Sequence, residues 1–318
     1  MTKYLITGVN GFVGQYFAAY LKEKEPHSQI LGVDLILSAD TLSDHFLQLD
    51  LKDKERVSHL IADYQPDYIV HLAAISSVAE SWKAPAIAVL NNTSAFLNLV
   101  DAVRQFDLES RILSIGSSEE YGIYDIPIKE YFHLHPKNPY AVARVEQEYL
   151  AKLYVDHFDL DIVMTRSFNH IGPKQNKNFV IPSILNGFMD ILNGKNDNVL
   201  TVGNVNVVRD FLDVRDVVDA YYQILKYGEK REVYNVCSGY GVRLRDVIDL
   251  VSEKLGVFPK ILVDPLKLRS NDILFVVGDN SKLKQELMWQ PKFELNQTLT
   301  DMIESLKNEQ KESALYWA

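Results

Sequence analysis

The sequence has few of the features that mark secreted, membrane-spanning or nucleic-acid-binding proteins. A single cysteine, Cys237, stands among 318 residues and has no partner for an intrachain disulfide, which is typical of a reducing compartment. The chain does not open with a basic segment, an apolar stretch and a cleavage site, and no apolar run approaches the roughly 20 residues that span a bilayer. We therefore expect a cytoplasmic protein with no membrane segment.

Positive charge is also scarce, which bears on the expected partners. Lysine and arginine total 33 against 43 aspartates and glutamates, so the formal net charge is −10. Such a surface repels polyanions, and nucleic acid is not an expected partner. A small anionic substrate stays compatible with this charge, because a few arginines determine the field of a pocket. His170 has no cysteine or acidic residue at metal-ligand spacing, so no metal site is expected.

What the sequence does contain is an alternation of strand-like and helix-like segments. The apolar run Lys3–Thr7 leads through a glycine-rich turn into the amphipathic segment Phe12–Lys24, and the apolar segment Ile30–Asp34 follows. This order is typical of a β-turn-α-β unit. The alternation continues through strand candidates Phe46–Leu49, Tyr68–Leu72, Arg111–Ile115 and Asp161–Thr165 and helix candidates Val57–Tyr64, a long stretch to Gln105, and Tyr140–Phe158. It predicts an α/β fold with a Rossmann-type, doubly wound parallel sheet.

The pattern changes after residue 168, and this change suggests a second lobe. Residues 1–168 are predicted to form an NAD-binding Rossmann domain. Residues 169–318, which are richer in loops, are predicted to form most of a smaller α/β substrate-binding lobe. Because Val217–Lys226 reads as a helix that could return to the first lobe, we expect a returning segment near residues 205–235 and interleaved lobes.

The glycine-rich turn predicts a dinucleotide site. Glycines follow the spacing G-x-x-G-x-x-G between a strand and a helix, where backbone N–H groups can meet a pyrophosphate. Asp34 ends the next strand 20 residues after the last glycine; a carboxylate there binds ribose hydroxyls and repels a 2′-phosphate, which favours NAD over NADP. The alternatives are a purely structural turn and an aspartate that only caps a strand. The proposed contacts are Gly8, Asn10, Gly11, Phe12, Val13, Gly14 and Asp34, with Asp50 and Leu51 beside the adenine.

A candidate catalytic group follows the strand Arg111–Ile115. Ser117 and Glu119 lie where an open parallel sheet binds its ligands, and Tyr140 and Arg144 share one face of a later helix. Hydride transfer at a carbon bearing oxygen requires a proton to move on that oxygen, and a fixed positive charge suits a phenol to this role. Tyr140 is the predicted acid or base, Arg144 supplies the charge and touches the nicotinamide ribose, and Ser117 binds the reacting oxygen.

Taken together, these motifs resemble the extended short-chain dehydrogenase/reductases, whose pattern is a glycine-rich turn, a Ser or Thr, and Tyr-x-x-x-Lys. Arg144 departs from that pattern because it stands in place of the lysine. The resemblance is sharper in Ile115–Gly122, Phe168–Pro173, Arg209–Phe211 and Asn235–Gly239. Those segments are similar to the GDP-6-deoxy-4-keto-D-mannose reductases and the GDP-mannose 4,6-dehydratases.

The resemblance implies a nucleotide-diphosphate sugar as substrate, with GDP favoured, and a homodimer formed through the helices Pro85–Gln105 and Tyr140–Phe158. It also implies cofactor contacts from Leu72, Ala73 and Ala74. The implied substrate contacts are Ser76, Ser77, Ser118, Glu119, Asn169, Phe179, Val180, Arg209 and Arg269. For Arg209 and Arg269 the alternative is an ordinary ion pair with Asp210 or Asp272.

Three activities are compatible with these residues. The favoured one is NAD(P)H-dependent reduction of the 4-keto group of a GDP-6-deoxy-4-keto-hexose, which gives a product of the GDP-D-rhamnose type. Glu119 stands where the dehydratases keep a base, so a 4,6-dehydratase or a 4-epimerase with tightly bound NAD is the alternative. A catalytically impaired dinucleotide-binding protein is the third, because Arg144 replaces the usual lysine.

Overall fold

The computed structural model describes residues 1–38, 41–195, 197–268 and 273–316. In chain order the strands of this part of the chain are β1 (Lys3–Thr7), β2 (Gln29–Asp34), β3 (His45–Gln48), β4 (Tyr68–His71), β5 (Arg111–Ser117), β6 (Asp161–Ser167), β7 (Asn169–Ile171), β8 (Val199–Val202), β9 (Val208–Asp213), β10 (Val233–Val236), β11 (Gly241–Arg243), β12 (Lys260–Val263) and β13 (Phe275–Val276). The α-helices are α1 (Phe12–Lys24), α2 (Lys54–Tyr64), α3 (Val78–Lys83), α4 (Pro85–Gln105), α5 (Pro139–Phe158), α6 (Val180–Leu192), α7 (Val214–Tyr227), α8 (Leu244–Leu255), α9 (Ser281–Leu287) and α10 (Leu295–Tyr316).

The larger sheet has seven strands in the order β10-β6-β5-β4-β1-β2-β3. Each neighbouring pair is parallel, so the carboxyl ends of the strands lie along one edge. The strand order reverses between β1 and β4, and open parallel sheets bind ligands in the crevice at such a point. This edge therefore collects the predicted cofactor and catalytic residues.

Helices cover both faces of this sheet because its strands are apolar on both sides. Phe17 and Leu21 of α1 pack with Tyr221 and Ile224 of α7 in one buried cluster. On the other face, side chains of α2, α4 and α5, among them Phe96, form a second cluster. The predicted doubly wound, Rossmann-type α/β fold is confirmed.

The second lobe is built around a small mixed sheet. Strand β9 lies at its centre, with β11 antiparallel and with β7 and β13 parallel to it, while β8 and β12 form a separate parallel pair. Helices α6, α8 and α10 supply most of its apolar core. Helix α7 and strand β10, which follow β9 in the chain, belong to the first lobe.

Helix α4 has the bounds Pro85–Gln105 that the sequence predicts, and much of it is apolar. A stretch of 18 residues within this 21-residue helix reaches a mean hydropathy of 1.3, and by length and composition this one helix of the described residues could cross a membrane. Core helices of globular proteins pass the same test. In this structure α4 packs against α2, α3 and α5, with Phe96 and Leu99 fully buried.

Candidate active site

The glycine-rich turn brings backbone so close to backbone that side chains do not fit. Gly8 has φ +72°, and a Cβ there would lie 2.8 Å from the Ala73 nitrogen. A Cβ on Gly14 would lie 2.3 Å from the Gly8 oxygen. Gly11 is the N-cap of α1 and supplies no side-chain cap, and the first turn of the helix carries no acidic residue. The helix N-terminus thus has the close approach and the positive end of the dipole that a pyrophosphate needs; the predicted contacts Phe12 and Val13 lie in this first turn.

Asp34 is held at the end of β2 by the glycine-rich turn. One carboxylate oxygen accepts from the backbone N–H of Asn10 at 3.0 Å, and the other accepts from the N–H of Ile36 at 3.2 Å. The Asn10 amide donates to the Ile36 carbonyl, while its buried Oδ1 has no hydrogen-bond partner in the described residues. A fixed carboxylate beside the phosphate-binding turn fits the adenosine ribose of a dinucleotide.

The carboxyl end of β4 forms the other wall of this crevice. Thr7 accepts from the N–H of Ala73 at 3.3 Å, and the Leu72 N–H donates to the Thr7 carbonyl. The Thr7 hydroxyl also lies 3.0 Å from Nδ1 of the fully buried His71. Burial, with the nearby positive charge of Arg144, lowers the pKa of His71 to about 3, so the imidazole is neutral at physiological pH. Ala74 follows in the same half-buried loop.

Asp50 and Leu51, predicted beside the adenine, are engaged in their own turn and core. The Asp50 carboxylate accepts from the N–H of Lys52 at 3.0 Å and pairs with its ammonium. Leu51 packs its side chain into the core beneath the sheet. Its backbone oxygen accepts from the Asn98 amide at 2.9 Å. Turn formation and packing account for both side chains in this structure.

Ser117 is the last residue of β5 and lies two residues beyond the predicted strand end at Ile115. Its hydroxyl accepts from the N–H of Glu119 at 3.3 Å, and Ser118 and Glu119 continue into a short 3₁₀ helix. The Glu119 carboxylate accepts from the Asn138 amide at 2.8 Å. The same Asn138 caps α5, since its Oδ1 accepts from the N–H of Ala141 at 2.8 Å. One asparagine thus ties the Ser117 turn to the start of the helix that carries Tyr140.

Tyr140 and Arg144 meet at the beginning of α5, as their spacing predicts. The guanidinium carbon of Arg144 lies 5.3 Å from the centre of the Tyr140 ring, and both residues are buried, at 3% and 7% exposure respectively. Arg144 donates from NH1 to the Ile115 carbonyl at 2.9 Å, two residues before Ser117. The Tyr140 hydroxyl makes no hydrogen bond within the part of the chain that the structure describes, which leaves it available to a ligand.

A buried ionic network lies behind the Ser117 turn. Glu120 is fully buried and accepts from the Ser117 N–H at 2.6 Å, and its second oxygen lies 3.8 Å from the Arg166 Nε. Arg166 forms two hydrogen bonds, of 2.8 and 2.7 Å, with Glu148 of α5. Burial and the Glu148 charge raise the pKa of Glu120 to about 8. Burial opposes ionisation of Glu148 as well, but the hydrogen bonds and charge of Arg166 lower its pKa.

This network predicts that stability depends on pH. The Glu120→Gln substitution is expected to weaken that dependence. Because the folded state keeps the Glu120 proton up to about pH 8 while an unfolded glutamate loses it near 4.5, the free energy of unfolding falls as the pH rises through that window. Glutamine does not titrate, so between pH 5 and pH 8.5 we expect the parent chain to lose about 4 kcal/mol of unfolding free energy that the Glu120→Gln variant keeps. Urea unfolding at both pH values measures the difference. Parallel pH profiles for the two proteins would show that Glu120 is ionised when folded.

The predicted substrate residues fall into two groups. Ser76 is exposed, and the Ser77 hydroxyl caps α3 by accepting from the Glu80 N–H at 3.3 Å; both follow β4. Asn169 begins β7, and its amide lies 3.4 Å from the Asp210 carbonyl. The others in the second lobe are Phe179 and Val180, which are 41% and 44% exposed at the start of α6, and Arg209 on β9. Arg269 lies outside the described residues.

Two contacts bring the second lobe to the cofactor crevice. The Phe12 ring at the start of α1 stacks on His170 of β7, with ring centres 6.1 Å apart. On β9, the buried Asp210 accepts from the backbone N–H groups of Ser238, Gly239 and Gly278. Asp210 therefore organises the loops around the site.

A family model described as GDP-mannose 4,6 dehydratase matches residues 5–302. This chain belongs to the GDP-mannose 4,6-dehydratase family. The predicted resemblance to extended short-chain dehydrogenase/reductases is confirmed, and the chain is a nucleotide-sugar enzyme of that type.

Members of the family with different activities resemble this chain over almost its whole length. The GDP-6-deoxy-D-mannose reductase of Pseudomonas aeruginosa is 33% identical over 96% of this chain and 98% of its own. The GDP-mannose 4,6-dehydratase of Vibrio cholerae serotype O1 is 27% identical, with 95% and 92% covered. The structure of RMD from Pseudomonas aeruginosa complexed with NADPH has a TM-score of 0.86 and 31% identity, covering 97% of this chain and 100% of that one.

The sequence analysis did not predict the roles of several residues that support the site. Asn138 directly precedes Pro139, and an asparagine before a proline at the first helical position is typical of an N-cap. Its capping role could therefore have been predicted. Gln147 lies one helical turn beyond Arg144 and could also have been suspected. Asn92, whose amide holds the Ile75 backbone by two hydrogen bonds, gives no local signal, because its partner lies in a loop before another helix.

Proposed function

We propose that this protein reduces the 4-keto group of a GDP-linked 6-deoxy-4-keto-hexose with a reduced nicotinamide dinucleotide. The observation that carries the proposal is the buried pair of Tyr140 and Arg144, 5.3 Å apart by ring centre and guanidinium carbon, next to the strand that ends in Ser117. The resemblance over 96% of the chain to a GDP-6-deoxy-D-mannose reductase supports it. The product is of the GDP-D-rhamnose type.

The residues of the site divide the work of a carbonyl reduction. When bound, the reduced nicotinamide supplies the hydride for the carbonyl carbon. Tyr140 donates its phenolic proton to the carbonyl oxygen, and the Arg144 charge stabilises the phenolate that remains. The Ser117 hydroxyl holds the same oxygen by a hydrogen bond. Because Tyr140 has no other described hydrogen-bond partner, its proton is directed to the substrate.

We further propose that the cofactor is NAD(H) rather than NADP(H), although the Pseudomonas structure holds NADPH. Asp34 places a carboxylate at the ribose position, and the next residues, Leu35, Ile36 and Leu37, offer no positive charge for a 2′-phosphate. We expect the parent protein to bind NADH at least about tenfold more tightly than NADPH, and Asp34→Asn to bring the two affinities together. Fluorescence titration gives the ratio of the NADH and NADPH affinities within each protein. A general loosening of the turn weakens both affinities alike and leaves this ratio unchanged. A ratio that Asp34→Asn leaves unchanged would contradict the assignment.

For the substrate, we propose that Arg209, Asn169, Phe179 and Val180 bind the nucleotide diphosphate from the second lobe, with Ser76, Ser77, Ser118 and Glu119 around the sugar. A guanidinium suits a diphosphate because it donates two parallel hydrogen bonds. Calorimetric titration with GDP, UDP and dTDP tests the base. Binding of UDP as tight as GDP would remove the preference for a guanine nucleotide.

A 4,6-dehydratase is the second candidate, and Glu119 is the observation that favours it. Glu119 lies two residues beyond Ser117, and the Asn138 amide orients the carboxylate by a hydrogen bond of 2.8 Å to one oxygen, which leaves the other oxygen to take a proton from a sugar. Purified protein with GDP-4-keto-6-deoxymannose and NADH tests the reductase by loss of absorbance at the NADH band. Incubation with GDP-mannose tests the dehydratase by formation of the 4-keto sugar, and absence of both reactions would support a binding protein.

We also propose a homodimer formed through α4 and α5. These two helices pack side by side, and both present large apolar side chains to solvent. On α4 these are Ile87 and Leu90, and on α5 they are Tyr149 and Leu153, all more than half exposed. Exposed apolar patches on paired helices are typical of subunit contacts. Sedimentation equilibrium that finds only monomers at micromolar concentration would reject the dimer.

A further inference from the structure

Arg144 occupies a lysine position of the extended short-chain pattern, and the structure shows what holds its side chain there. Gln147 lies one helical turn further along α5 and is 1% exposed. Its Oε1 accepts from NH1 of Arg144 at 2.7 Å. Its Nε2 donates to the Ser114 hydroxyl at 2.8 Å and to the Ile115 carbonyl at 3.3 Å. The two side chains therefore form one buried unit with strand β5.

The direction of the Gln147 amide is fixed by its surroundings. The Ile115 carbonyl can only accept hydrogen bonds, so the NH₂ end of the amide must face it. The oxygen end is then turned to Arg144, whose NH1 donates both to this oxygen and to the Ile115 carbonyl. Both lone pairs of the Ile115 oxygen are used, and neither NH1 nor the amide is left unsatisfied.

The neutral amide of Gln147 can bind Arg144 without neutralising its charge, which a carboxylate at this position could not do. It satisfies the NH1 donor without cancelling the guanidinium charge, so the charge stays available to a phenolate on Tyr140. Within the described ranges Arg144 takes part in no ion pair, and its buried Nε has no hydrogen-bond partner.

We propose that Gln147 is a positioning residue that allows an arginine to act at position 144. The proposal rests on the proposed reductase mechanism, in which Tyr140 gives the proton. A lysine ammonium has no counterpart of NH1, carries its charge on a single point and orients its three donors by rotation. Lysine therefore has no specific need of the Gln147 oxygen, whereas the planar guanidinium loses one of the two acceptors that hold NH1 when that oxygen is removed and keeps only the Ile115 carbonyl.

A double-mutant cycle tests this coupling. Gln147→Met keeps the length and helix propensity of the side chain but removes the amide. We expect it to lower kcat about 20-fold in the parent enzyme, with KM for the nucleotide sugar unchanged, and less than about threefold in the Arg144→Lys background. Equal losses in the two backgrounds would overturn the proposal, because a structural role of Gln147 in α5 does not depend on the residue at 144.

Gln147→Glu supplies a second readout that a structural role would not move. The variant places a carboxylate against NH1, neutralises the charge that Arg144 offers to the phenolate, and should raise the kinetic pKa of the catalytic acid by about one unit. An unshifted pH profile of kcat would contradict the proposal. If the parent protein oxidises no NADH with the keto sugar, the proposed function fails by itself. The same four proteins of the cycle are then compared by NADH affinity, where additive effects again overturn the role of Gln147.

Discussion

Tyr140→Phe is expected to lower kcat of the reductase about 10³-fold, which corresponds to roughly 4 kcal/mol of lost transition-state stabilisation. The substitution removes only the hydroxyl that gives its proton to the substrate oxygen. That hydroxyl makes no hydrogen bond to the described part of the protein, and the ring keeps its packing against Arg144 at 5.3 Å. Stability and NADH affinity should therefore change little. Stopped-flow measurement of NADH oxidation at saturating keto sugar gives the rate of the chemical step.

Tyr149→Phe provides the matched control for this substitution. Tyr149 lies on the same helix but is 58% exposed, so loss of its hydroxyl should leave kcat within about twofold of the parent value. A Tyr140→Phe enzyme that retains a tenth or more of the parent kcat would show that another group gives the proton. The next residue to test would be Tyr221. Its hydroxyl lies 2.6 Å from the Ser167 hydroxyl and interacts electrostatically with Tyr140.

Much of the fold could be predicted because its signals are local. The strand Lys3–Thr7 and the helix Phe12–Lys24 have the bounds that the sequence predicts, since an apolar run, a glycine turn and an amphipathic segment lie within 24 residues. Strand β5 was predicted too short. It runs to Ser117 because Gly116 and Ser117 pair with Arg166 and Ser167 of β6, a contact that no local pattern reveals.

The sequence predicts which residues form the site, but it does not predict the hydrogen bonds and ion pairs that join residues distant in the chain. Tyr140 and Arg144 share a helix face by spacing alone, so the 5.3 Å contact could be foreseen. The hydrogen bond between Asn138 and Glu119 spans 19 residues, and the 3.8 Å contact between the Glu120 carboxyl group and the Arg166 Nε depends on the neighbouring strand. Side-chain polarity shows that such residues need partners when buried, but only the three-dimensional arrangement shows which partners they find.

Gly14→Ala is expected to weaken NADH binding by roughly 100-fold and to destabilise the protein by about 2 kcal/mol or more. The added Cβ would lie 2.3 Å from the Gly8 oxygen and 2.7 Å from the Val9 oxygen. Both obstacles are backbone atoms of the phosphate-binding turn, so no side-chain rotation can relieve the clash. Helix α1 has to move away from the turn, and its N–H groups then no longer converge on a pyrophosphate.

Gly187→Ala is the control that separates this effect from a general cost of alanine in a helix. Gly187 lies within α6, and its added Cβ would meet the Leu200 Cδ1 at 2.6 Å, the end of a flexible side chain that can move. Alanine is favoured over glycine in helices by about 1 kcal/mol, so Gly187→Ala should leave NADH affinity unchanged. If Gly14→Ala binds NADH as the parent protein does, the pyrophosphate does not lie on the N-terminus of α1, and the cofactor crevice must be sought elsewhere along the sheet edge.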